Sequence, residues 1–326
     1  MDLSLTPFLF VLLGLLLLLV GGASLVRGAS GIAQAFNVPN IVIGLTVVAF
    51  GTSAPELVIN VTGALQGKTD LAFGNAVGSN LANFGLVLGL AAIMSPIYLQ
   101  GQVIRREVPF LLLITAILLV MVWDAPLSGT QALLDRGDAI ILFLLFSVFV
   151  YFMIRDFISE ENDPLLAEGD NLSAKASGNT LVNTALLIIG LVLLVVGGEM
   201  TIDNGVAIAK IMGVSEVVIG MFVLAVGTSL PELVTSGIAA YKKETDLALG
   251  NIVGSNIFNS LVVLPAAAII RPLPIPEGGD WDLAVGGAFV LVIIPLFLFS
   301  NARLGRLAGI GLITSYFLYL YIRFNF

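Results

Sequence analysis

The chain has 326 residues, 58% of them hydrophobic and only 11% charged, with a mean hydropathy of +1.06. That composition excludes a soluble domain and describes a polytopic membrane protein. There is no cysteine and no histidine, which excludes disulfide frameworks, thiolate nucleophiles, HExxH zinc sites and histidine proton relays, and the net charge of −8 argues against nucleic acid as a partner.

A membrane span needs about 20 apolar residues. The predicted spans, in chain order, are 6–26, 38–65, 70–94, 108–123 and 138–155, then 180–208, 215–240, 246–269, 282–300 and 305–322. The first run is read as a retained helix and not a signal peptide. Its leading residues, Met1-Asp2-Leu3-Ser4, carry no Lys or Arg, and the run aligns with the internal segment 181–198. The one clearly hydrophilic stretch, 156–179, divides the chain into 1–155 and 180–326. Its Asp156, Glu160, Glu161, Asp163, Glu168 and Asp170 read as a solvated linker; a calcium-sensor reading lacks EF-hand spacing. With the N-terminus outside, the inner connections carry Arg27, Arg105, Arg106, Arg155, Lys175, Lys242, Lys243, Arg303 and Arg306. The outer ones carry Lys68, Arg136, Lys210, Arg271 and Arg323. The bias favours N-out and C-out, with 156–179 in the cytoplasm.

The two halves repeat one another. Residues 51–83 read GTSAPELVINVTGALQGKTDLAFGNAVGSNLAN and residues 227–259 read GTSLPELVTSGIAAYKKETDLALGNIVGSNIFN, a gapless offset of 227 − 51 = 176 with about half the positions identical. Val20-Gly21-Gly22 likewise aligns with Val196-Gly197-Gly198. Five spans per copy force the second copy to enter the membrane inverted. The expected fold is therefore all-α, with ten transmembrane helices as two inverted five-helix repeats and a binding site at the midplane where they meet.

What repeats is polar chemistry inside apolar segments. In AFGTSAPE, Thr52 and Glu56 share a helix face with Ser53 beside them. Pro55 has no N–H and crowds the carbonyl of Gly51, so a kink is predicted that frees carbonyls near Ala49, Gly51 and Thr52. Such backbone is tolerated at membrane depth only where it lines a cavity or is satisfied again. Ala225, Gly227, Thr228, Ser229, Pro231 and Glu232 repeat the pattern. In the next span Gly74 and Gly78 form a small-xxx-small pair for close helix approach, and Ser79 and Asn83 lie at i, i+4; Gly250, Gly254, Ser255 and Asn259 repeat this. Asp70 and Asp246 read as helix N-terminal residues, not ligands.

An intramembrane carboxylate costs about 2.5–3.5 kcal/mol or more at the bilayer centre, so Glu56 and Glu232 mark a functional site. Thr52, Ser53, Thr228 and Ser229 weigh toward that site over mere hydrogen-bond glue. For Asn75, Asn80, Asn251 and Asn256 the two readings balance. Glu199 and Asp203 lack acidic repeat partners and read as interfacial, with a pairing of Arg27 and Asp203 as one arrangement across the repeat axis. The donor set is oxygen only, which suits hard cations: Ca²⁺, Na⁺, Mg²⁺ or Mn²⁺. Two carboxylates are balanced by one Ca²⁺ or by several monovalent cations. An empty charged site is costly to move through a dry intermediate, so such a carrier crosses loaded in both directions, as an antiporter.

GTSAPE…GNAVGSNLAN and GTSLPE…GNIVGSNIFN resemble the alpha repeats of the sodium/calcium exchanger family, nearest to its small prokaryotic members, and the resemblance covers the whole chain. It implies a Ca²⁺ site made by Glu56 and Glu232 with the carbonyls of Thr52 and Thr228. It implies Na⁺ sites using Ser53, Ser229, Ser79 and Ser255 with the carbonyls of Ala49 and Ala225. Asn83 and Asn259 would lie at the centre, acting through water. It further implies that the first and sixth helices slide against the rest, that the transported ions are Ca²⁺ and Na⁺ with no cofactor, and that a monomer works in a prokaryotic inner or plasma membrane. Asn at position 259, where potassium-dependent relatives carry Asp, weakens a potassium requirement. The GNAVGS and GNIVGS motifs differ from the GN-x-x-E pattern of calcium/proton exchangers, although two protons neutralise two carboxylates as well as sodium does. The alternatives are thus a Ca²⁺/H⁺ antiporter using the same site, a cation channel, for which an inverted repeat is a poor fit, and an intramembrane enzyme, for which no base beside a nucleophile is apparent.

Overall fold

The computed structural model describes residues 6–36, 38–98, 106–123, 129, 132–161, 179–211, 225–299 and 303–325. Most of the predicted 156–179 linker, and the first part of the predicted span 215–240, fall outside the described residues.

Glycines seven residues apart set the first contact. Helix α1 (Thr6–Ala35) and helix α7 (Thr180–Ile211) pack antiparallel, with Gly14 and Gly21 of one facing Gly197 and Gly190 of the other and Gly28 against Asn183 and Leu187. A Cβ on Gly14 would lie 2.4 Å from Thr201 Oγ1, and one on Gly190 would lie 2.6 Å from the Leu25 nitrogen. Only glycine lets the backbones approach so closely. The antiparallel register overturns the pairing of Arg27 with Asp203. Gly28 sits against Asn183 and Leu187 while Thr201 sits against Gly14, so the two charges lie near opposite ends of the pair. Both are exposed and no ion pair joins them.

Helix α2 (Asn40–Thr52) and helix α3 (Ala54–Leu65) form one apolar stretch bent by 43°, where Pro55 predicts a kink. Gly44–Val48 inside α2 is a π-helical turn. Helix α4 runs from Thr69–Ala82 through a π turn at Asn83–Val87 to Leu88–Met94. Helix α5 (Val108–Met121) and helix α6 (Arg136–Glu161) complete the first half. In the second half, after α7, come α8 (Ala225–Thr228), α9 (Leu230–Tyr241), α10 (Thr245–Phe258, a π turn at Asn259–Val263, then Leu264–Ile270), α11 (Gly279–Phe299) and α12 (Arg306–Asn325). Among the described residues five helices are long and apolar enough to cross a membrane, and the bent pair α2–α3 makes a sixth. Outward-facing Leu9, Leu12 and Leu16 are more than half exposed, the surface expected of helices against lipid.

The halves contact each other reciprocally. Strand β1 (Ile97–Tyr98) pairs antiparallel with β4 (Arg303–Leu304), and β2 (Leu133–Leu134) with β3 (Leu273–Pro274). Arg136 Nε donates to the Ile269 carbonyl at 2.9 Å, and Arg306 Nε donates to the Ile93 carbonyl at 3.1 Å. Each arginine therefore caps the C-terminal end of a helix from the other half, where cations complement the exposed carbonyls. Gly250 and Gly254 of α10 press on α2 as predicted, a Cβ on Gly254 falling 2.6 Å from the Leu45 carbonyl. Gly74 differs: a Cβ there would meet nothing within 4 Å. The stretch one repeat away from Gly44 lies outside the described residues.

Candidate functional site

Breaks in two helices build the site. Ser53 (φ −85°, ψ 9°) interrupts the helix between α2 and α3, and Ser229 (φ −84°, ψ 6°) does so between α8 and α9. In both, proline stands at the start of the following helix and the glutamate lies in its first turn, where a missing N–H leaves no intrahelical hydrogen bond unmade. A restarted helix N-terminus favours a carboxylate in its first turn. One expectation is corrected in part: the Ala49 carbonyl still accepts the Ser53 N–H at 3.0 Å and lies 3.4 Å from Thr52 Oγ1. The Gly51 carbonyl is the one Pro55 leaves without its i+4 donor.

Thr52, Ser53, Glu56, Ser79, Asn83, Thr228, Ser229, Glu232, Ser255 and Asn259 are all buried, together with Ala49. The backbone of Ala225 opens α8, one helical turn before Ser229. Ser53 Oγ donates to Glu232 Oε1 at 2.8 Å, across the halves. Ser255 Oγ approaches the same oxygen at 3.4 Å, and Ser79 Oγ approaches Glu56 Oε1 at 3.4 Å. The Oε2 atoms of both glutamates are buried without a donor among the described residues. A buried carboxylate oxygen without a donor is strongly unfavourable unless a cation or a proton meets it. Asn83 Nδ2 donates to Asn256 Oδ1 at 2.9 Å. Its Oδ1, and both polar atoms of the fully buried Asn259, have no protein partner. Both asparagines open π turns, a local widening that often accompanies functional sites.

Behind these residues lies a layer that the motifs left undecided. Thr52 Oγ1 donates to Asn251 Oδ1 at 3.0 Å, and Asn251 Nδ2 donates to Ser236 Oγ at 2.9 Å. One repeat away, Thr228 Oγ1 donates to Asn75 Oδ1 at 3.1 Å, and Asn75 Nδ2 donates to Asn60 Oδ1 at 3.0 Å. Each threonine hydroxyl is thus held by the opposite half. Asn60 and Ser236 were not singled out from sequence, yet each lies four residues after a glutamate, on the same helix face. Asn80 Nδ2 donates to Ser260 Oγ at 3.0 Å. Glu199 and Asp203 are exposed, away from the site. Asp246 lies in the first turn of its helix, as expected. Among the described residues no group of three or more acidic, histidine or cysteine side chains could hold a metal, so any cation here would be held by two carboxylates and neutral oxygens.

A helical membrane protein with two buried, cross-braced carboxylates and an oxygen-only lining has the build of an ion transporter. The chain belongs to the sodium/calcium exchanger protein family, whose model matches residues 6–155 and 182–325, and is thereby a membrane antiporter of the cation/Ca²⁺ class. It is 38% identical to "Putative antiporter CaxA" of Alkalimonas amylolytica over 97% of this chain and 98% of that one. It is 29% identical to "Sodium/calcium exchanger MaX1" of Methanosarcina acetivorans over 97% and 98%. Its fold matches that of the sodium-calcium exchanger NCX_Mj soaked with Na⁺ and Ca²⁺, with a TM-score of 0.83, 32% identity and coverage of 98% of this chain and 99% of that chain.

Proposed function

We propose that the protein exchanges Ca²⁺ for Na⁺ by alternating access at a midplane site shared by Glu56 and Glu232. The observation that carries this reading is the pair of fully buried carboxylates, each with an Oε2 that meets no hydrogen-bond partner among the described residues. Ca²⁺ takes six to eight oxygen ligands and tolerates irregular geometry; two carboxylates with the Thr52 and Thr228 carbonyls offer such a set. Ser53, Ser79, Ser229 and Ser255, with the carbonyls of Ala49 and Ala225, supply neutral oxygens flanking it for Na⁺. Asn83 and Asn259 complete the centre, directly or through water. Several Na⁺ or one Ca²⁺ offset the two negative charges, so the site moves loaded in both directions.

The reading includes ten membrane-crossing helices in two inverted repeats, 1–155 and 180–326, joined by a cytoplasmic linker at 156–179, with both termini outside and the monomer as the working unit. The reciprocal strand pairs, arginine caps and threonine–asparagine bonds support two equivalent halves. The motion implied has α1 and α7 slide together against the rest, and their close glycine contact supports their moving as one unit. The relatives named for sodium/calcium exchange favour Na⁺ as the coupling ion.

The test is Ca²⁺ uptake into proteoliposomes loaded with Na⁺ and diluted into Na⁺-free buffer with a protonophore present. Uptake that requires internal Na⁺ is expected. Absent uptake, restored by a pH gradient once the protonophore is omitted, would move the protein to proton coupling.

A further inference from the structure

The two central asparagines correspond by the repeat but are not held alike. Asn83 Nδ2 donates to Asn256 Oδ1 at 2.9 Å, and Asn256 Nδ2 donates to the Asn80 carbonyl at 3.3 Å. This chain of bonds has one direction. A backbone carbonyl accepts and never donates, so Asn256 must turn its Nδ2 toward Asn80 and its Oδ1 toward Asn83. Asn83 must then turn its Nδ2 toward Asn256, and oxygen is the only end of its carboxamide left over. That Oδ1 has no hydrogen-bond partner among the described residues, and both asparagines are buried. Asn83 follows Ser79 by one helical turn, on the face from which Ser79 Oγ approaches Glu56 Oε1 at 3.4 Å.

The repeat predicts a second brace of the same kind, since Asn80 corresponds to Asn256 and Asn83 to Asn259. It would run from Asn259 Nδ2 to Asn80 Oδ1. It is not made: Asn80 Oδ1 and both polar atoms of Asn259 have no hydrogen-bond partner among the described residues. Asn80 Nδ2 donates instead to Ser260 Oγ at 3.0 Å. The residue one repeat before Ser260 is Phe84, which is buried and has no side-chain oxygen to offer Asn256. One difference between the repeats thus diverts Asn80 and leaves Asn256 to Asn83. We infer that Asn256 is a positioning residue for the cation site: it fixes Asn83 as an oxygen ligand, while the carboxamide of Asn259 has no such brace. The inference rests on the two-glutamate reading of the site given above. An unbraced carboxamide presents either N–H₂ or oxygen, and only oxygen ligates a hard cation.

The test is a double-mutant cycle read as Ca²⁺ binding, by calorimetric titration of the full-length protein in Na⁺-free neutral detergent. Asn256→Ala is expected to weaken Ca²⁺ binding roughly tenfold, as for loss of a partner that orients a metal ligand. Asn83→Ala is expected to weaken it at least as much. In that background, which has no carboxamide to orient, Asn256→Ala is expected to weaken it no further. Asn256→Leu fills the space that alanine leaves and is expected to give the same two results. Ser260→Ala removes a buried hydrogen bond of the same layer without touching the brace, and is expected to bind Ca²⁺ as the wild type does. Equal weakening by Asn256→Ala with and without Asn83, equal weakening by Ser260→Ala, or wild-type affinity in Asn256→Ala would reduce Asn256 to packing and overturn the inference. Ca²⁺ binding that persists in Glu56→Gln would overturn the two-glutamate reading instead, and the coupling between Asn83 and Asn256 would still decide the brace.

Discussion

Glu56 and Glu232 are where charge and burial meet, so single-atom changes there are the most informative. Glu56→Gln keeps the shape and removes the charge. Na⁺-driven Ca²⁺ uptake is expected to fall to the level of empty vesicles while the protein elutes and melts as a folded species, and Glu232→Gln is expected to match it. Exchange retained in either variant would sink the shared-ligand assignment. Ser53→Ala removes the 2.8 Å donor to Glu232 Oε1. A hydrogen bond to a charged group is worth about 1.5–3 kcal/mol, so an apparent ion affinity roughly tenfold weaker is expected in concentration-dependent uptake. Asn251→Ala strips the acceptor from Thr52 and the donor from Ser236 together. The loss from leaving buried partners unmet is about 1–3 kcal/mol, read as a lower melting temperature. The glutamates and hydroxyls were legible in sequence because ionisable and polar groups inside an apolar run have few structural reasons to be there. Asn60 and Ser236 were not, since a lone amide or hydroxyl on a membrane helix is ordinary until its partner is known.

At the scale of helices, glycine positions separate close contacts from open space. Gly21→Ile would drive a side chain into Leu193 and Leu194, where even a Cβ lies 2.9 Å from existing atoms. Overpacking of this kind costs about 1–3 kcal/mol, and a clear drop in melting temperature is expected. Gly311→Ala has nothing within 4 Å and is expected to leave the melting temperature unchanged or slightly raised, since alanine favours helix over glycine by roughly 0.5–1 kcal/mol. The seven-residue glycine spacing in α1 was not singled out from sequence, and its partner could not be, because periodicity gives a face and not what covers it. The proline kink was legible from local sterics. The π turns at Gly44–Val48, Asn83–Val87 and Asn259–Val263 were not: a one-residue widening carries no composition signal, and its position depends on packing against neighbouring helices. The small-xxx-small motif held for Gly250 and Gly254, while Gly74 has no described neighbour on its open side.

For the whole molecule, ligand linkage gives a global readout. Anything that binds the folded state stabilises it by about 2.7 kcal/mol at a hundred times its dissociation constant. Ca²⁺ is therefore expected to raise the melting temperature of the purified protein, and the rise should vanish in Glu56→Gln; a calcium-dependent shift that survives the substitution would place the stabilising ion elsewhere. Because Ser53 donates to Glu232 across the halves and each threonine hydroxyl donates to an asparagine of the opposite half, the site exists only when the halves are docked, and its stability reports on their interface.

The sequence alone determined the membrane class, the predominantly helical build, the internal repeat and the glutamate-centred motifs. These follow from local rules: apolar length, backbone sterics at proline and the cost of charge in lipid. The tertiary structure decided who meets whom. It crossed Ser53 to Glu232 and Thr52 to Asn251, separated Arg27 from Asp203, and set Asn83 against Asn256. Such pairings join residues more than 150 positions apart, and only the packing of whole helices fixes them.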